Sequence, residues 1–299
     1  MKLGLKVDVD TLRGTRAGVP RLVELLRARG AGATFLFSLG PDHTGRAMRR
    51  VFRRGFVGKV ARTSVLEHYG LATLLYGTLV PGPDIGRRAG AQMLAARDAG
   101  FETGVHCWDH VRWQDFVAAA DEAWTAPELD RACARYRELF GARPRIHGAA
   151  GWQTNAHALR YLDALGFALA SDVRGQSPFR PRMDGETFFC PQWPTTLPTL
   201  DEIVGVGGRT PEDAVREVLA LTAGQRADHV FTAHAELEGG RMLGAFGKLL
   251  EGWRAQGYEV VALGALAAGR DPRELPVHDV VFGPVPGRSG TLALQGPAA

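Results

Sequence analysis

The feature that most constrains this chain is an alternation of two patterns. Short apolar runs of strand character at residues 3–10, 34–39, 102–106, 145–150, 168–172, 229–233 and 259–263 alternate with helical patterns. The helical stretches fall at 18–29, 85–99, 127–140, 154–165, 211–223 and 244–256. Strands joined through helices run parallel, since each crossover carries the chain back before the next strand begins. About seven such units predict an α/β fold, a distorted (β/α) barrel rather than an open sheet, although periodicity alone does not close the ring. Element ends are legible too. Thr210, Pro211 and Asp213 open one helix, and Gly30, Gly100, Gly141, Gly166 and Gly257 stand where C-terminal caps belong.

Two stretches break the alternation. Residues 41–83 form a long insertion, and long insertions tend to carry function. Residues 267–299 are rich in Pro and Gly and are expected to be a covering tail, which leaves 1–266 as one domain without internal repeats. The composition is that of a globular protein: 299 residues, 45% apolar and 23% charged, with a net charge of +4. Cys107, Cys133 and Cys190 are odd in number and far apart, so no disulfide framework is expected. No secretory signal is visible, and the uncharged run at 69–83 is short of the ~20 apolar residues of a membrane span. The expectation is a soluble or peripheral protein.

Chemistry gathers where the predicted strands end. In "LGLKVDVDTLRG" (residues 3–14), Asp8 and Asp10 share one strand face. Two like charges there are unfavourable unless a cation, a proton or a specific task holds them. In "GVHCWDH" (residues 104–110), His106 and His110 are spaced so that a helical turn or a tight loop aims both at one point, a common arrangement for divalent-metal ligands. Ser171 with Asp172, and Thr232 with His234, occupy the same position on two further strands. In an α/β barrel those ends converge on the ligand site. A His₂Asp set with an open position suits a hydrolytic divalent metal, Zn²⁺ before Mn²⁺, Co²⁺ or Ni²⁺.

Seven motifs in order carry a resemblance: "VDVDTLRGTRAGVPRL", "FSLGPDHTGRAMRR", "HCWDH", "AAGWQ", "SDVRG", "TLPTLDE" and "TAHAELEG". Over residues 1–266 the chain resembles the 4-deoxy-4-formamido-L-arabinose-phosphoundecaprenol deformylases of the polysaccharide deacetylase (carbohydrate esterase 4, NodB-type) superfamily. The resemblance implies that Asp10, His106 and His110 bind the metal and that Asp8 is the general base. His234 would be the general acid for the departing amine, with Asp172 orienting it. The superfamily's Arg-x-Pro motif, whose Arg steadies the base, is replaced here by "HGAAGWQ" (residues 147–153), leaving Arg174 or Arg145 to take over. The implied reaction releases formate from a lipid-linked formamido sugar at the cytoplasmic face of an inner membrane, a step towards lipid A modification and polymyxin resistance.

The insertion fits a membrane partner. Residues 45–65 carry Arg46, Arg49, Arg50, Arg53, Arg54, Lys59 and Arg62 among apolar and aromatic residues, with no acid. Such a segment is drawn to anionic headgroups, and its arginines would also clamp a lipid phosphate. No nucleic acid or stable protein partner is expected. Trp152, Glu236 and Glu238 are candidate sugar contacts. The rival readings are an N-deacetylase of a glycan such as peptidoglycan or chitin oligomers, and a non-catalytic peripheral lipid-binding protein.

Overall fold

Strand β1 (Lys2–Val9) sorts its side chains by parity. Leu3, Leu5, Val7 and Val9 are buried in the main apolar core, which takes in Leu22 and Leu26 of α1 (Val19–Arg29) and Met93 of α2 (Ile85–Asp98). Gly4, Lys6 and Asp8 point to the other side, as strand geometry requires. The computed structural model describes residues 1–47, 73 and 75–299.

Six further strands complete a parallel sheet: β2 (Thr34–Ser38), β3 (Glu102–Cys107), β4 (Ile146–His147), β5 (Leu169–Ala170), β8 (His229–His234) and β9 (Glu259–Val261). The order is β5-β4-β3-β2-β1-β8, with β9 on the start of β1. Between β5 and β8 the ring is bridged by an extended segment at 191–197. Trp193 N–H donates to Ala170 O at 2.7 Å, and Thr195 N–H to Val173 O at 3.0 Å. On the other side Thr196 N–H donates to Val230 O at 3.0 Å, and the hydroxyls of Thr195 and Thr232 meet at 2.7 Å. The sheet therefore curls into the expected distorted barrel, held on one side by single bridges instead of a ladder.

The even face of β1 lines the barrel interior. At its base, a Cβ on Gly4 would press on Leu266 and Leu263 of α9 (Leu263–Ala267), so glycine lets that helix seal the bottom. Leu36, Ile146, Leu169, Trp193, Val230 and Val261 complete this apolar plug. Above it come Lys6, then Asp8, then Asp10 at the rim. Burial leaves the polar groups little choice of partner, and so positions them.

Further helices among the described residues are α3 (His110–Phe116), α4 (Glu122–Phe140), α5 (Ala156–Ala164), α6 (Leu200–Ile203), α7 (Pro211–Thr222) and α8 (Leu243–Ala255). Helix α4 begins ahead of its expected start at Pro127 because the Asp121 carboxylate accepts from Trp124 N–H and caps it. The stretch expected to be a covering tail is ordered differently. Within it, β10 (Val277–Gly283) and β11 (Leu292–Ala298) pair with β6 (Arg180–Met183) and β7 (Glu186–Thr187) in a four-stranded sheet, order β11-β10-β6-β7. Val280 and Ala293 of that sheet pack with Ala156 and Leu159 of α5. Pro284, Pro286, Gly287 and Gly290 of that stretch lie in the turn between β10 and β11. Among the described residues, no helix is long and apolar enough to cross a membrane.

Candidate metal and catalytic centre

The carboxyl ends of β1, β3 and β8 open into one cavity of about 420 Å³, lined by Asp8, Asp10, His106, His110, Trp152 and His234, among others. The ligating atoms of Asp10, His106 and His110 all lie within 4.8 Å of one another. His106 Nε2 is 3.3 Å from Asp10 Oδ1, and His110 Nε2 is 3.5 Å from Asp10 Oδ2. His106 comes from the end of β3, and His110 is the first residue of α3. A tight loop brings them together, and the Asp109 side chain caps α3 by accepting from Arg112 N–H.

This donor set fits a divalent cation. His106 donates its Nδ1–H to Gly148 O at 2.6 Å, which fixes the tautomer with Nε2 free to bind, the usual arrangement of a metal-binding imidazole. Gly148 can approach because a Cβ there would strike Leu36. Asp10 Oδ1 is buried with no hydrogen-bond partner. Burial raises the Asp10 pKa, but His110 and His106 more than reverse this and hold it well below the usual carboxylate range. Burial lowers His110, which favours the neutral imidazole that binds metals. Burial also works to lower His106, where Asp8 and Asp10 prevail and raise it. Cys107 is no ligand: it is buried beside Ser38, and burial drives its thiol well above the ordinary value.

Asp8 is 3% exposed and stands beside a buried lysine. Lys6 Nζ lies 3.5 Å from Asp8 Oδ2, donates to Ser171 O at 2.9 Å, and is 5.3 Å from the Trp152 ring centroid. The residue beside Asp8 is thus neither Arg174 nor Arg145. Arg174 is turned to Glu202, at 2.5 Å, and to Leu197 O; Arg145 is exposed. The signal was present, since Lys6 precedes Asp8 by two residues and shares its face.

Asp172 is likewise not the partner of His234. It sits fully buried below the cavity, accepting from His147 Nδ1–H at 2.7 Å and from Ala149 N–H at 2.8 Å. The carboxylate that faces His234 is Asp201, whose Oδ1 is 3.8 Å from His234 Nδ1. Burial raises Asp201, but Arg288 and His234 outweigh it and hold the group in its charged form. Asp201 lies in the "TLPTLDE" motif without a role read from sequence. Arg288 lies in the stretch expected to be a tail, and nothing in its surroundings in sequence marked it.

Of the candidate sugar contacts, Trp152 and Glu236 line the cavity. Trp152 has a positive φ of 51° in the turn before Gln153, and its ring centroid lies within 5.3 Å of Lys6, Arg174 and Arg288. Glu236 Oε1 accepts from Thr11 N–H at 2.8 Å and from Asp10 N–H at 3.2 Å, fastening the rim of β1 to the end of β8. Glu238 is not a cavity residue. It is fully buried and folds back to accept His234 N–H at 2.7 Å, because the turn after β8 brings it under its own strand end. Arg49, Arg50, Arg53 and Arg54 lie outside the described residues.

A parallel barrel whose strand ends present Asp8, Asp10, His106, His110 and His234 to one cavity has the architecture of the NodB-type polysaccharide deacetylases. No family model matches the chain. It is 35% identical, over 98% of its length and 94% of the relative's, to a protein of Shewanella sediminis (strain HAW-EB3) named as a probable 4-deoxy-4-formamido-L-arabinose-phosphoundecaprenol deformylase, ArnD. A structure named as a polysaccharide deacetylase of Mycobacterium smegmatis aligns with a TM-score of 0.64 and 16% identity, covering 95% of this chain and 94% of that one. A family 4 acetyl xylan esterase of Clostridium thermocellum, solved with a cobalt ion, aligns with a TM-score of 0.54 and 14% identity, covering 93% and 97%. The chain belongs to the 4-deoxy-4-formamido-L-arabinose-phosphoundecaprenol deformylases, within the carbohydrate esterase 4 fold.

Two stability measurements follow from this geometry. Replacing Lys6 by Met strands the Asp8 charge in the barrel and should cost about 3–5 kcal/mol in urea unfolding. Adding Asp8→Asn to that variant should recover part of the loss. A cost below about 1 kcal/mol would show that the pair does not support the fold. The second concerns Glu238, whose pKa burial lifts from 4.5 to about 7. The folded state holds this proton longer than the unfolded chain does. The contribution is therefore complete below the unfolded pKa and is lost as pH rises towards 7. Relative to wild type, Glu238→Gln should gain stability between about pH 5 and 7 and then level off, by up to about 3 kcal/mol. Parallel pH–stability curves for the two proteins would refute the assignment.

Proposed function

We propose that the protein hydrolyses the formamide of an undecaprenyl-phosphate-linked 4-deoxy-4-formamido-L-arabinose, giving formate and the 4-amino-4-deoxy-L-arabinose lipid. The observation that carries this reading is the convergence of Asp8, Asp10, His106, His110 and His234 on one cavity. The name of the Shewanella relative supports the choice of substrate. Lipid A modification and polymyxin resistance are the setting this product would serve.

Asp10, His106 and His110 would hold a divalent ion, Zn²⁺ first, with Co²⁺ supported by the cobalt-containing esterase. When bound, it activates a water and polarises the formyl carbonyl. The rest of the chemistry belongs to the chain. Asp8 accepts the proton of the attacking water, and the Lys6 ammonium, 3.5 Å from its Oδ2, aims the carboxylate. The water oxygen adds to the formyl carbon and the C–N bond breaks. The amine is a poor leaving group, so His234 delivers a proton to its nitrogen and is left as neutral imidazole, with Asp201 facing its other ring nitrogen, Nδ1. Trp152 forms part of the cavity wall. The arginine-rich segment at 45–65 would hold the protein at the anionic cytoplasmic surface, where such a lipid is found.

Formate release from the lipid-linked formamido sugar, presented in anionic vesicles, tests this reading. Wild type should be active, stopped by chelation and restored by metal. Asp8→Asn and His234→Ala should each fall by about 10²–10⁴-fold. Reversing the charge of Arg49, Arg50 and Arg53 should weaken vesicle binding. An unchanged rate after chelation, or full activity in Asp8→Asn, overturns the mechanism. Release of acetate but not formate would favour the glycan N-deacetylase.

A further inference from the structure

The four-stranded sheet that the C-terminal segment completes reaches into the cavity at one point. The turn between β10 and β11 places Arg288 on the cavity wall. Gly287, with φ of 81°, makes the approach possible, since a Cβ there would collide with the backbone of Glu202 on α6. The turn is thus seated directly on the short helix that carries Asp201.

Arg288 grips that helix with three groups. Its Nη1 lies 3.0 Å from Asp201 Oδ2, its Nε donates to Glu202 Oε1 at 2.9 Å, and its Nη2 donates to Thr199 Oγ1 at 3.0 Å. Thr199 in turn donates to Asp201 Oδ1 at 2.6 Å. Asp201 Oδ1 is the oxygen that stands 3.8 Å from His234 Nδ1, and that nitrogen is buried without a hydrogen-bond partner. A small closing movement would convert this approach into a hydrogen bond. Helix α6 spans only Leu200–Ile203 and has little stiffness of its own.

We propose that Arg288 is a positioning residue for leaving-group protonation, holding the Asp201 carboxylate against His234 Nδ1. The proposal rests on the reading of His234 as the general acid. A planar guanidinium suits the role because its donors lie in one fork, fixing Asp201 and Glu202 together. The C-terminal sheet then supplies part of the active site, though the reacting atoms lie on other strands.

The test uses the full chain with its metal restored. Arg288→Met should lower kcat for formate release at least tenfold and leave KM within about threefold. Arg288→Lys should recover most of the loss. Asp201→Asn should show a similar defect, and the double variant Arg288→Met with Asp201→Asn should be no worse than Asp201→Asn alone. A second readout needs no substrate. In ¹⁵N-histidine-labelled protein, Arg288→Met and Asp201→Asn should move the His234 ring resonances in the same direction, and Arg288→Lys should return them. Should Arg288→Met fail to fold, the Asp201→Asn and Arg288→Lys arms decide. A rise in KM with kcat unchanged would make Arg288 a substrate contact and overturn the proposal. So would multiplicative losses in the double variant, or a His234 spectrum indifferent to Arg288. Wild type without formate release, but with the His234 response intact, would instead refute the reading of the reaction.

Discussion

A buried strand can carry two carboxylates on one face only where cations answer them, and the barrel interior is built around that requirement. Lys6 is wholly buried, two residues before Asp8, with its ammonium shared among Asp8, the Ser171 carbonyl and the Trp152 ring. Taking these charges out of water costs several kcal/mol per ion, and only close pairing offsets it. At the rim, Asp10 faces two imidazoles and has one oxygen with no partner, which leaves a place for a cation. The plug below, from Gly4 to Leu266, keeps water from relaxing the arrangement from beneath.

The consequence for chemistry is a division of labour by strand. β1 places Asp8 and Asp10 on successive positions of one face, where the proposed reaction takes them as base and metal ligand. β3 and α3 supply the two imidazoles across a capped loop. β8 runs beside β1 with Asp8 opposite His234 in register, so the two groups proposed as base and acid stand on neighbouring strands. The C-terminal sheet adds Arg288 from outside the barrel and joins it to Asp201. Each group is held by backbone that has few alternatives, which is the condition for precise placement without a costly search.

Much of this was legible in the sequence because it depends on local periodicity. The seven parallel strands and the major helices follow from apolar spacing and cap residues, and the superfamily resemblance pointed to the same barrel. That Asp8, Asp10, His106, His110 and His234 meet at one cavity is legible because strand ends converge in such folds. What could not be read depends on contacts between segments distant in the chain. Motif position pairs Asp172 with His234, whereas His147, whose strand pairs with β5, captures it. Arg174 seemed a fit partner for Asp8 but is drawn to Glu202 on α6. Arg288 was hidden in a Pro/Gly-rich stretch whose strands pair across about a hundred residues, from β6 to β10. Lys6 is the instructive case: the alternation that paired Asp8 with Asp10 placed it on the same face.

The central proposal is that Asp10, His106 and His110 hold one divalent ion while Asp8, paired with Lys6, stands beside them as the base. Metal content after dialysis against a divalent cation tests it most directly. Wild type, Asp8→Asn and His234→Ala should each retain one ion per chain, and Asp10→Ala and His110→Ala should retain none. Loss of the ion from Asp8→Asn, or its retention by Asp10→Ala, would contradict the account.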